Sequence, residues 1–178
     1  GADGLIAVAA GAGGHAGVKS PFALIQEIRS WFDGPIALSG SIATGGAVLA
    51  AQAMGADLAY IGSAFIATEE ARASEAYKQA IVEGTSDDIV YSSLFTGVHG
   101  NYLKASIRSA GLDPDKLPES DPSKMSFGGG EGSKSKAWKD IWGCGQGIGA
   151  VDKVVPTREL VARLAREYQE ARHRLLAA

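Results

Sequence analysis

The 178-residue chain is 46% hydrophobic and 21% charged, with a net charge of −3 and a pI near 5.6. That balance suits one soluble globular domain and argues against a nucleic-acid or membrane-surface partner. The single cysteine, Cys144, excludes an intramolecular disulfide, and no apolar run reaches the roughly 18–20 residues a membrane span requires.

Leu5-Ile6-Ala7-Val8-Ala9-Ala10 is a continuous apolar run bounded by glycines, which predicts a strand buried on both faces of a parallel sheet. Residues 1–10 carry no charged n-region, so no signal peptide is expected and the chain reads as cytoplasmic. After a glycine-rich turn over 11–17, Ser20-Pro21 predicts a helix start, with serine as the cap and proline at the first helical position. Leu24, Ile25, Ile28 and Trp31 continue that helix until Asp33-Gly34. A second buried strand is predicted over 35–39. Thr44 is placed to cap a small-residue helix that Gly55 terminates. Leu58-Ala59-Tyr60-Ile61 then predicts a third strand running into Gly62-Ser63. Residues 69–84 read as a helix. Residues 90–150 are expected to form an irregular excursion, richest in Pro, Ser, Gly and Asp over 110–135. Thr157 is placed to cap a final helix whose Leu160, Leu164, Tyr168, Ala171 and Leu175 make one apolar stripe.

Strand, loop and helix alternate three times with connections too short for anything but βαβ units, which argues for a parallel α/β fold within one domain, 1–178. Three such units do not close a (β/α)₈ barrel, which needs eight strands and about 250 residues. The sequence opens inside a Gly-Ala-Asp-Gly turn without a methionine, so roughly the first half of a barrel is expected to be missing from it. A complete small open-sheet domain is the alternative.

In parallel α/β folds, ligands bind outside the carboxyl ends of the strands. All three predicted strand ends carry glycine or small polar residues: Gly11 to Gly17, Gly40-Ser41 and Gly62-Ser63. Backbone N–H groups at such turns, aided by the helix dipole, make an anion site, so two consecutive pairs predict a phosphorylated ligand. The competing view is that these glycines only make tight turns. His15, in the first of the loops, is the candidate catalytic base, since imidazole titrates near neutrality and can take a proton from a moderately acidic carbon. Against this stands the commoner role of a loop histidine as a surface hydrogen-bonding post. His99 and His173 are weaker candidates. No metal-ligand spacing, Gly-x-Ser-x-Gly elbow or P-loop is present, and Gly11-Ala12-Gly13-Gly14 lacks the later acid of a dinucleotide fingerprint.

Ala12-Gly13-Gly14-His15-Ala16-Gly17 resembles the A-G-G-H-x-G loop of nitronate monooxygenases, formerly called 2-nitropropane dioxygenases. The segment from Pro35 to Gly45 is similar to that family's seventh strand and its G-G-I-A-x-G turn. Ala53 to Asp57, followed by Tyr60 to Thr68, is similar to its eighth strand, and Gly145-Gln146-Gly147-Ile148-Gly149 resembles its A-G-Q-G-x-G segment.

The resemblance implies the C-terminal half of a TIM barrel, about three βα units plus C-terminal helices, holding FMN at the strand ends. It assigns the FMN phosphate to backbone at Ser41, Gly62 and Ser63, with Gly40, Tyr60 and Ile61 alongside, and places Ala12, Gly13, Gly14 and Gly17 beside the flavin. His15 would take the α-proton of a nitroalkane or sit beside an anionic nitronate, with dioxygen as the other substrate. FMN-dependent NAD(P)H:quinone and enoyl reductases carry the same signature, and a flavin-free phosphate-binding barrel lyase or isomerase also stays open. A homodimer is compatible with the sequence. Two positions depart from the family pattern: Gly11 stands where many members have an acid, and Ser41 replaces the second glycine of the phosphate turn.

Overall fold

The three apolar runs of the first sixty residues pair as parallel strands. In the computed structural model, which describes residues 1–119 and 140–177, β1 (Leu5–Val8), β3 (Ile36–Ser39) and β4 (Leu58–Tyr60) form a sheet in the order β1-β3-β4. Val8 lies opposite Ser39, and Ser39 opposite Tyr60, so the three strands end level. That register brings the turns after them to one edge of the sheet. The intervening helices start as predicted. Ser20 Oγ accepts the Ala23 N–H at the start of α1 (Pro21–Arg29), and Thr44 Oγ1 accepts the Ala47 N–H at the start of α2 (Gly45–Met54).

Helices α1 and α2 cover one face of the sheet, where Ala7, Ile25, Ile36, Leu38 and Ala51 form a core. The expectation of burial on both faces is corrected: Ile6 is 60% exposed and Leu58 64%, with Val8 and Tyr60 also exposed. Side chains alternate across a strand, and among the described residues no helix or strand covers the second face.

A second sheet was not legible in the sequence. β2 (Gly14–His15) pairs antiparallel with β6 (Gly100–Leu103), which pairs with β5 (Ile89–Ser92), giving the order β2-β6-β5. The segment expected to be irregular over 90–150 therefore opens with a hairpin and a short helix, α5 (Lys104–Ser109). Residues 120–139 of that expected loop lie outside the described residues. Helix α3 (Ser63–Ile66) follows β4, and α4 (Glu75–Glu83) begins six residues later than the predicted 69, because Ser74 Oγ caps it by accepting the Tyr77 N–H.

The final helix, α6 (Thr157–Leu176), contains Thr157 as its first residue and not as its cap. The Thr157 N–H and hydroxyl both donate to the Glu70 carboxylate at 2.8 Å, and these bonds hold that carboxyl below its usual value. Along α2, Glu167 Oε2 accepts the Gly45 N–H at 2.8 Å, so a carboxylate of α6 occupies the positive end of the α2 dipole. Ile81, Leu103, Cys144, Ile148 and Leu160 form the core between α4, β6 and α6. No helix of the described residues is long and apolar enough to cross a membrane.

Asp57 locks the parallel sheet to its helices. Its Oδ2 accepts the Ile36 N–H at 2.8 Å and Arg29 Nη2 at 2.7 Å, while Arg29 also donates to the Gly55 and Gly34 carbonyls. The Ile36 N–H first, then Arg29, hold the Asp57 carboxyl below the usual 3.8. A depressed carboxylate stabilises the fold above its unfolded pKa, and the contribution disappears as pH falls from about 4 through the folded value. Asp57→Asn is expected to lower Tm at pH 7 and to flatten the decline of Tm below about pH 4. Thermal melts across pH read both effects.

Candidate functional site

Because β1, β3 and β4 end level, their turns meet around one pocket of about 200 Å³. Ala12, Gly13 and Gly14 line it from the first turn, Gly40 and Ser41 from the second, and Tyr60, Gly62 and Ser63 from the third. Gly143, Gly145 and Gly147 close it from the opposite side. Ile61 and Gly17, the other two predicted cofactor residues, do not line it: Ile61 packs against the core, and Gly17 lies near the Val8 carbonyl. Among the described residues no carboxylate lines the pocket, so no acidic side chain of that wall repels an anion.

Two backbone segments meet here at a separation only glycine allows. A Cβ on Gly13 would stand 2.8 Å from the Gly145 nitrogen, and one on Gly145 would stand 2.7 Å from the Gly11 carbonyl oxygen. Both obstacles are main chain and cannot rotate aside. The Gln146 N–H donates to that same Gly11 carbonyl at 2.9 Å, and Asn101 Nδ2 donates to the Ala12 carbonyl at 2.7 Å. Asn101 in turn accepts the Cys144 N–H on its own carbonyl, so β6 stitches the loop after β1 to the 143–147 segment.

The hydrogen-bond donors of the pocket are unevenly committed. At the start of α3, the N–H groups of Gly62, Ser63 and Ala64 have no partner among the described residues, as expected of a first helical turn without a side-chain cap. A Cβ on Gly62 would meet nothing within 4 Å, which leaves its open side toward the pocket. The Ser63 hydroxyl accepts the Gly145 N–H at 2.9 Å. Ser41 differs from expectation: its N–H donates to the Gly11 carbonyl at 3.3 Å, so the backbone donor assigned to a phosphate is already engaged.

The two departures from the family pattern touch each other. Gly11 has φ +82°, and a Cβ built on it would stand 2.1 Å from Ser41 Oγ and 2.8 Å from Gln146 Oε1. Ser41 itself is left-handed at φ +54°, the one non-glycine residue in that region among the described residues. The Ser41 hydroxyl thus occupies the volume that a side chain at position 11 would enter. A serine at 41 and a glycine at 11 form one structural unit.

His15 stands on β2, one residue beyond the pocket wall, and lines a second pocket of about 630 Å³ with Arg72, Tyr77, Tyr102 and Trp142. The two pockets share Gly14 and Gly143. Tyr77 and Trp142 stack at 4.8 Å and 14°, and the Tyr77 hydroxyl donates to the Gly143 carbonyl. Burial pushes the Tyr77 phenol well above its usual value. His15 Nε2 lies 3.0 Å from Thr96 Oγ1. His99 instead stacks on Tyr91 at 5.0 Å, and His173 is an exposed residue of α6. The Cys144 thiol, fully buried, is pushed up to about 11 by that burial, which the Ser63 and Gly145 hydrogen bonds only partly oppose. At neutral pH it is a packed thiol, not a nucleophile. The sequence missed Thr96, Asn101 and Tyr102, since they come from the hairpin inside the expected loop. Gly143 and its neighbours carried a signal in their glycine spacing, but nothing there indicated which strand end they face.

Residues 1–167 match the family model described as nitronate monooxygenase. A nitronate monooxygenase of Paraburkholderia phytofirmans is 28% identical over 96% of this chain and 50% of its own length. A solved nitroalkane oxidase from Streptomyces ansochromogenes superposes with TM-score 0.73 at 29% identity, over 98% of this chain and 54% of that one. FabK from Thermotoga maritima, at 24% identity and TM-score 0.74 over 99% of this chain and 58% of its own, shares the fold. The chain spans about half the length of these relatives, and its three-stranded parallel sheet is part of a barrel.

Gly11→Ala is expected to cost about 1–3 kcal/mol, from its left-handed backbone and the contact with Ser41. In a Ser41→Gly background the cost should fall by at least about 0.5 kcal/mol, since the two positions share a volume. Urea unfolding of the two single variants and the double variant measures the coupling, and strict additivity would refute it.

Proposed function

The chain belongs to the nitronate monooxygenase family, and from that membership we propose that it is the C-terminal half of an FMN-binding TIM barrel that oxidises alkyl nitronates and nitroalkanes with dioxygen. The observation that carries the cofactor assignment is the convergence of two consecutive βα turns, Gly40-Ser41 and Gly62-Ser63, on one pocket whose described lining includes no carboxylate. The residues present fit a phosphate. The Gly62, Ser63 and Ala64 N–H groups have no protein partner among the described residues, and the Gly62 cradle has space that a Cβ would fill. Ser41 would take part through its hydroxyl, because its N–H is engaged by Gly11. Tyr60 and the Ala12-Gly13-Gly14 backbone border the same pocket and would flank the rest of the cofactor. Gly17 and Ile61 lie outside it and are left out of the proposed FMN contacts.

FMN, when bound, supplies the electron acceptor for the nitronate and the route from it to dioxygen. The chain's own task is the proton. His15 would take the proton from the carbon beside the nitro group, leaving the charge delocalised on the nitro oxygens as a nitronate. The imidazole opens on a pocket lined by Tyr77, Tyr102 and Trp142, whose aromatic walls exclude water from an alkyl chain. For a substrate already present as the nitronate, no proton needs to leave, and His15 would act only by contact. Gly11 provides no carboxylate beside this loop, so the base would act without an acidic neighbour at that position.

Under anaerobic conditions, ethyl nitronate is expected to bleach the flavin of the FMN-loaded protein. Rapid bleaching by NADH alone would assign it to the reductases of the family instead, and a protein that takes up no flavin would overturn the cofactor. His15→Ala should keep FMN bound while losing about a hundredfold or more of turnover with neutral nitroethane. Gly62→Leu should lower FMN occupancy at least about tenfold with little change in Tm, since its Cβ meets open space. Flavin absorbance after gel filtration reads both variants.

A further inference from the structure

The β5–β6 hairpin holds His15 by backbone and by side chain at once. On the main chain, β2 pairs His15 with Gly100, and the Ala16 N–H donates to the His99 carbonyl at 3.3 Å. On the side chain, the Thr96 hydroxyl meets His15 Nε2 at 3.0 Å. A hydroxyl has one proton to give. Thr96 Oγ1 lies 2.8 Å from the Val98 carbonyl, which can only accept, so the Thr96 proton is committed there. The Val98 N–H approaches the same oxygen at 3.3 Å and the Tyr102 hydroxyl at 3.4 Å, both longer than the contact to His15. Toward His15 the Thr96 oxygen is therefore an acceptor, and Nε2 must carry the hydrogen.

We propose that Thr96 is a positioning residue that holds His15 through Nε2–H and orients its ring for the proton transfer. This rests on His15 as the base. The anchor has the form of a ligand-holding or catalytic histidine elsewhere: one ring nitrogen donates to a fixed oxygen, and that bond decides what the other nitrogen does. Here the fixed oxygen is neutral. It orients the ring without adding a negative charge beside a site that handles anionic nitronates. The Thr96 oxygen is itself held by its own turn, through the Val98 contacts and the Gly97 N–H to Ser93 carbonyl bond of 2.8 Å.

The test compares Thr96→Val, which keeps the shape and removes the oxygen, with Thr96→Ser, which keeps the oxygen, and with His15→Ala. In ¹⁵N-labelled-histidine NMR of the full chain, the parent and Thr96→Ser should show a protonated Nε2 whose hydrogen exchanges slowly. Thr96→Val should lose that protection while Tm stays within a few degrees. With the FMN-loaded protein, Thr96→Val should lower kcat on neutral nitroethane by about tenfold to a hundredfold, with KM within about twofold. Turnover of preformed ethyl nitronate should fall by a smaller factor than that of nitroethane, and Thr96→Ser should restore the parent rate. If His15→Ala is slow on nitroethane and Thr96→Val is not, the positioning role is overturned and the base survives. If His15→Ala also handles nitroethane as the parent does, the base fails. The NMR spectrum then decides the anchor by itself: a parent His15 protonated on Nδ1, or an Nε2 hydrogen as protected in Thr96→Val as in the parent, overturns it.

Discussion

Gly13 and Gly145 meet main chain to main chain, at a distance where either Cβ would stand within 2.8 Å of a backbone atom or, for Gly145, of a backbone oxygen. Most of the site depends on that contact. It lets the loop after β1 and the 143–147 segment share hydrogen bonds through the Gly11 carbonyl, and it sets the width of the pocket between them. A side chain at either position would drive the two segments apart and open the wall on which Gly14 and His15 stand. The cost of such overpacking is usually a few kcal/mol, and here it would fall on the site's geometry before it reached the core.

Two sheets divide the work of the site. The parallel sheet brings three strand ends to one edge, and its turns supply backbone donors and a neutral wall. The antiparallel sheet adds Gly14 of β2 to that wall and stitches it, and the turn between its other two strands meets the imidazole through Thr96. β6 pairs with Gly14 and His15, and Asn101 on the same strand binds the Ala12 carbonyl. The pocket at the strand ends and the pocket beside His15 are thus built by different elements, and among the described residues they share the glycines at positions 14 and 143. A loop built almost wholly of glycine would otherwise be too free to aim a side chain.

The departures at positions 11 and 41 gain a meaning that each lacks alone. Read along the chain, Gly11 and Ser41 look like two unrelated positions. In space they are in contact: the serine hydroxyl fills the volume that a side chain at position 11 would enter, with Ser41 in the left-handed region. The Ser41 N–H is engaged with the Gly11 carbonyl, while the N–H groups at the start of α3 have no partner among the described residues.

Sequence by itself determined the local parts. Apolar runs closed by glycine set β1, β3 and β4, and serine or threonine caps set α1 and α2, because these depend on neighbours a few residues away. The glycine-rich strand ends and His15 were legible for the same reason. Only the tertiary structure decided which face of the sheet was covered, since alternation within an apolar run is invisible when every residue is apolar. It alone decided that residues 89–103 form a hairpin on the His15 loop, because a strand of Gly-Asn-Tyr-Leu carries no periodic signal and its partner lies more than eighty residues away. Thr157 was misread as a cap for a like cause: the group that satisfies its N–H is Glu70, a long-range partner no local pattern reveals. The pocket itself belongs to that second class, being a space between turns that meet only when the strands align.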